Sequence, residues 1–258
     1  MQSSNCILFC SCSGRNFLSD NARRVITAGL QESGNKFITL PDLCGIAVKR
    51  KQELKEIVER ADRIVVIACY PRAVRWLFAM AGMEWNADRI HVINFRQESA
   101  VQIVEQVKRL DFPGSMDAFV EGGEDQWDPW FPVIDYERCV DCRQCLSFCL
   151  FGVYEADKSN RVTVKHPGNC KNNCPACARI CPKAAIIFPK HTESPIEGSE
   201  IKNEAELRDK IQANVNEILG SDIYAALAER RKKSKKLLIR RKDIEKAEQE
   251  RSEFSGQG

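Results

Sequence analysis

Over the first 112 residues, four apolar runs alternate with four amphipathic ones. Residues 5–10 (NCILFC), 36–40 (KFITL), 63–69 (RIVVIAC) and 89–95 (RIHVINF) are short, continuous and apolar, as buried strands are. Between and after them, residues 20–33, 49–61, 71–81 and 98–110 space their apolar positions three and four apart, as a helix with one buried face does. Pro71 stands at the first helical turn, where its missing N–H costs nothing. Alternating strand and helix signals predict repeated βα units around a parallel sheet. With right-handed crossovers they make a small open α/β domain over residues 1–112.

The pattern then changes. Residues 113–132 are rich in Gly, Pro and acids and read as a linker. Trp127, Trp130 and Phe131 lie at its end and are expected to pin it onto a neighbouring domain. Within residues 133–190 the strand signals are short: VIDYER at the start, GVYE and RVTV as a hairpin around a polar turn, and AAIIFPK as a closing strand beside VIDYER. Residues 191–258 form a charged helical extension. Its first helix carries Leu207, Ile211, Val215, Ile218 and Leu219, and Gly220, Ser221 and Asp222 read as a stop and a new cap. A second helix is expected beyond, with nine Lys or Arg and one Glu between Glu229 and Lys242. The expected fold class is therefore α/β followed by a small α+β domain and a helical extension.

Composition sharpens this. The chain has 258 residues, a formal net charge of +3 and 13 cysteines. So mild a charge argues against nucleic acid as the main partner. No apolar stretch approaches the ~20 residues that span a bilayer. The amino terminus lacks the basic flank of an export signal, so the cysteines point to a reducing, cytoplasmic setting and to metal rather than disulfides.

Eight of the cysteines fall between Cys139 and Cys181, as C-x2-C-x2-C-x3-C and C-x3-C-x2-C-x3-C-P. Closely spaced thiolates on a tight loop, completed by one distant Cys, suit a four-iron cluster. Where two such runs occur, the fourth Cys of each serves the other cluster. Applied here, Cys139, Cys142, Cys145 and Cys181 hold one [4Fe–4S] cluster, and Cys170, Cys174, Cys177 and Cys149 hold a second. Zinc is the weaker reading, since none of the three histidines lies inside either run. This segment resembles a bacterial-type two-cluster ferredoxin domain over about residues 133–190. Leu150 stands where that family usually has Pro, and three residues rather than two separate Cys170 from Cys174.

The amino-terminal cysteines form a pattern of their own. Cys10 and Cys12 end the first strand, Cys44 lies in the turn after the second, and Cys69 ends the third. In a parallel sheet these ends share one edge, the edge at which open α/β sheets bind ligands. They are candidates for a third [4Fe–4S] site, whereas Cys6 begins its strand and reads as a core residue. The other readings are inert buried cysteines, or thiol chemistry at the C-x5-R sequence from Cys69 to Arg75. The segments CSCSG, DLCG, ACYPR and INFRQE resemble the amino-terminal iron–sulfur domain of heterodisulfide reductase A subunits. That resemblance implies Cys10, Cys12, Cys44 and Cys69 as cluster ligands. Those subunits continue into a flavin domain with a Gly-rich fingerprint; this chain has no G-x-G-x-x-G, so no flavin is expected in it.

The functional expectation is an electron-transfer subunit that relays electrons through two or three [4Fe–4S] clusters within an anaerobic redox complex. Redox partner proteins would dock through the basic extension. The alternative is an oxidoreductase with its own site at the amino-terminal cysteines, fed by the ferredoxin segment. A third reading is an assembly or regulatory protein whose effector is the basic tail.

Overall fold

The computed structural model describes residues 5–12, 15, 17–112 and 128–219. The amino-terminal sheet has the expected class. Its strands are β1 (Cys6–Cys10), β2 (Phe37–Leu40), β3 (Ile64–Ala68) and β4 (Ile90–Asn94), all parallel and arranged β2-β1-β3-β4. All five residues of β1 and of β3 are buried, because helices cover both faces of these central strands. β4 lies at an edge and exposes His91.

Helix α1 (Asp20–Glu32) starts where the Ser19 side chain accepts from the Ala22 amide, and it buries Ile26, Gly29 and Leu30. Gly29 is there for closeness: a Cβ on it would run into the Val104 side chain of α5. Helix α5 (Ala100–Lys108) opens with a complete capping box between Ser99 and Gln102. One expectation needs correction. Where the pattern predicts a turn at Cys44 and a helix over 49–61, two helices form, α2 (Leu43–Lys49) and α3 (Lys51–Arg60). The Asp42 carboxylate accepts from the Gly45 amide and starts the first of them, which puts Cys44 inside a helical turn. Helix α4 (Pro71–Met80) begins with Pro71 as expected.

In the second unit, β5 (Val133–Ile134) pairs antiparallel with β8 (Ile186–Ile187), and β6 (Tyr154–Ala156) with β7 (Val162–Val164). Two short helices, α6 (Gln144–Phe148) and α7 (Ala176–Arg179), follow the two Cys loops. Trp130 and Phe131 are buried; Trp130 stacks on Phe188 with centroids 5.3 Å apart, under the Arg15 guanidinium. Helix α8 (Glu204–Leu219) carries the expected apolar positions, and Val215 packs with Phe148 and Ile180. Trp127, residues 113–127 and the expected basic helix beyond 219 lie outside the described residues.

The two units share a core and a set of ion pairs. Phe131, Val133 and Ile187 pack into the apolar cluster of the amino-terminal sheet. Arg72 of α4 reaches across to Asp135 at 2.6 Å and to the Ala184 carbonyl, with both charged side chains largely buried. Arg75 pairs with Glu137, and Arg15 binds Asp128 at 2.6 Å. Gly198 (φ +105°) lets the chain after Pro195 pass against α4, since a Cβ there would sit 2.7 Å from that of Ala73. None of the cross-unit pairing was legible in the sequence.

Arg72→Met is expected to lower unfolding stability by about 3 kcal/mol, because it strands Asp135 without its cation; chemical denaturation measures it. Burial works to raise the Asp128 pKa, but Arg15 and Lys190 outweigh it and hold the carboxyl below the usual value. Its contribution is therefore complete above about pH 4 and is lost as pH falls through the depressed value. Asp128→Asn should flatten that acid limb in a series of melting curves against pH.

Candidate functional site

Four of the eight cysteines of the second unit line one cavity. The first loop turns tightly, with Asp141 and Arg143 in left-handed backbone (φ 49° and 60°). Asp135 organises it, accepting from the Glu137, Arg138 and Cys139 amides. Cys139, Cys142, Cys145 and the distant Cys181 then line one cavity, walled by Ile134, Val162 and Ile186. The Ala185 amide donates to Cys181 Sγ at 3.3 Å, which favours negative charge on that sulfur. The other four cysteines lie in the same unit. Cys149 and Cys174 act electrostatically on Cys170, and Cys170 and Cys149 act on Cys177. Tyr154, buried beside them, donates its hydroxyl to Cys177 Sγ at 3.1 Å.

The carboxyl edge of the parallel sheet gathers the other four. Cys10, Cys12, Cys44 and Cys69 line a second enclosed cavity together with Asp42, Arg96 and Lys190. The Leu43 amide donates to Cys10 Sγ at 3.3 Å. The Cys10 thiol in turn serves Cys12, which raises Cys10 well above an ordinary thiol and lowers Cys12. Cys6 lies apart, in the core, as expected.

Sequence reasoning missed the charged members of this cavity. Lys190 follows β8 in the second unit, yet its ammonium enters the amino-terminal cavity and is only 4% exposed. It pairs with Asp42 and, at 3.4 Å, with Asp128. Burial works against its charge, but Cys44 and Asp42 more than compensate and raise its pKa above the ordinary lysine value. Arg96 lies over the ring of Phe17 at 4.1 Å, donates to the His191 carbonyl and leaves Nη1 buried without a partner. In the sequence Lys190 is simply the end of AAIIFPK, and nothing near it signals a buried cation.

The cofactor expectation requires correction. Among the described residues, no group of three or more Cys, His, Asp or Glu side chains is placed so as to hold a metal ion. The expected [4Fe–4S] clusters at Cys139/Cys142/Cys145/Cys181 and Cys149/Cys170/Cys174/Cys177, and the third at Cys10/Cys12/Cys44/Cys69, are therefore not borne out. Burial pushes the Cys69, Cys145 and Cys170 thiols up to about 12.

Comparison with known proteins places the chain. No family model matches it, and no solved structure matches it. It is 51% identical over 61 residues to an uncharacterized ferredoxin of Methanocaldococcus jannaschii, covering 23% of this chain and 41% of that protein. It is 31% identical over 93 residues to Ferredoxin-3 of Nostoc sp., covering 29% of this chain and 90% of that protein. Over 60 residues it is 35% identical to the pyruvate synthase subunit PorD of Methanothermobacter marburgensis, covering 23% of this chain and 67% of that subunit. Crossed Cys loops, a β5/β8 pair that closes them, and relatives of this kind lead to one conclusion: through a ferredoxin-like electron-transfer domain related to PorD-type subunits, the chain belongs to the ferredoxin family.

Proposed function

We propose that this chain is an electron-transfer subunit of an anaerobic redox complex and works as a relay. The observation that carries the reading is the gathering of the distant Cys181 beside Cys139, Cys142 and Cys145 around one cavity of the ferredoxin segment. Likeness to PorD subunits supports the setting in a larger assembly. We assign Cys139, Cys142, Cys145, Cys149, Cys170, Cys174, Cys177 and Cys181 to the electron-transfer site of this segment. Cys10, Cys12, Cys44 and Cys69 form a second sulfur centre within the same chain. For that amino-terminal domain, a kinship with heterodisulfide reductase A subunits is supported by CSCSG, DLCG, ACYPR and INFRQE, whose cysteines the fold brings to one edge.

The arrangement suits a relay. Both cavities are lined largely by apolar side chains, which limits the reorganisation of water when charge arrives. Backbone amides at Cys10 and Cys181 favour added negative charge, and Arg96 and Lys190 do so at the sheet edge. A second reading, an oxidoreductase site at the sheet edge, draws on the same pair of cations flanking four thiols. Cys69→Ser separates the two. Under the relay reading it lowers the electron capacity of the chain; under the second it leaves that capacity intact and abolishes turnover.

Cys145→Ser and Cys181→Ser should each slow electron delivery from the reduced chain to oxidised methyl viologen by about tenfold or more, a barrier increase of about 1.4 kcal/mol. Cys6→Ser, in the core and away from both cavities, should leave the rate unchanged. Stopped-flow absorbance follows all three, and equal rates across the set would refute the assignment.

A further inference from the structure

A cleft of about 750 Å³ opens between the amino-terminal end of α4 and the chain that leads into α8. Its volume suits a small organic ligand. It lies outside both cysteine cavities, although Tyr70 links it to the sheet edge by following directly on Cys69. Open α/β sheets bind ligands at that edge, beside the strands where the order reverses; here those strands are β1 and β3.

One side chain in the cleft is out of balance. Glu197 is 3% exposed, and its Oε2 is buried with no hydrogen-bond partner. Tyr70 donates its hydroxyl to the Glu197 carboxylate, and burial together with that negative charge raises the Tyr70 pKa. The second oxygen is left over. A buried carboxylate oxygen without a donor is costly, and few such atoms occur in folded proteins.

The rest of the lining indicates what would satisfy it. Glu200 and Glu206 add negative charge at the rim. Of the cations, Arg72 is committed to Asp135 and Lys210 to Glu193, which leaves Lys202 against three carboxylates. Pro71, Pro195, Ile201 and Leu207 supply apolar wall. An acidic end inside and methylene-sized apolar walls along the way fit a cation on an alkyl stem.

We infer that this cleft binds an aliphatic ammonium group, drawn by the unbalanced buried carboxylate of Glu197 in its wall and by Glu200 and Glu206 at its rim. That group comes either from a free polyamine or from a lysine side chain presented by another protein.

Isothermal titration of the full chain with spermidine, and separately with N-acetyl-lysine N-methylamide, tests this; 1-hexanol serves as the neutral control. Saturable one-to-one binding of an amine, without binding of the alcohol, is expected. Spermidine alone binding identifies the free amine as the source, and the lysine derivative binding identifies a side chain. Glu197→Gln should weaken binding by about tenfold or more, and Glu206→Lys by a smaller factor, with unchanged circular dichroism. The inference is overturned if neither amine saturates, or if a folded Glu197→Gln binds as the wild type does. Should that variant not fold, the exposed Glu206→Lys decides instead, and unchanged affinity there overturns it.

Discussion

A lysine ammonium removed from water must be met by negative charge, and Lys190 meets it across the boundary between two units. It leaves the second unit after β8 and ends among Asp42, Asp128 and the sheet-edge thiols of the first. Breaking a buried pair by removing one partner leaves an uncompensated charge, and that costs about 3–5 kcal/mol. Arg72 and Asp135 impose the same constraint a few residues away. The relative placement of the two units follows from these pairs and from the shared apolar packing of Phe131, Val133 and Ile187.

This constraint shapes the chemistry on both sides of the boundary. Asp135, held by Arg72, also orders the first Cys loop by accepting from three of its amides, so the packing of α4 and the geometry at Cys139 are coupled. Lys190 and Arg96 bring positive charge to the cavity of Cys10, Cys12, Cys44 and Cys69, where added negative charge would otherwise be expensive. The two cysteine-lined cavities thus lie in one continuous body, joined by the short run from Ala185, which donates to Cys181, to Lys190. A relay needs fixed separations, and buried ion pairs with matched packing provide them.

Much of this was legible in the chain. The apolar runs CILFC and IVVIA gave two fully buried parallel strands, since a strand covered on both faces has no need of polar alternation. The first Cys run gave three cysteines on one tight loop, because that spacing reflects loop and helix geometry that is local. Cys44 was placed in a turn because a single capping carboxylate, Asp42, was enough to start a helix that hydrophobic periodicity did not require. The cofactor expectation came from spacing alone, and spacing does not report how side chains are placed in the fold. Lys190, Arg96 and Glu197 were invisible for a different reason: their roles depend on partners 62 to 148 residues away or on a missing partner, and no local pattern encodes either.

Electron exchange is the central property of the proposed function. Potentiometric titration of the isolated full chain under anaerobic conditions, followed by absorbance, measures it directly. Reversible uptake and release of electrons, with superimposable reductive and oxidative curves, is the result that a relay requires. A chain that takes up no electrons, or takes them up only irreversibly, would contradict it.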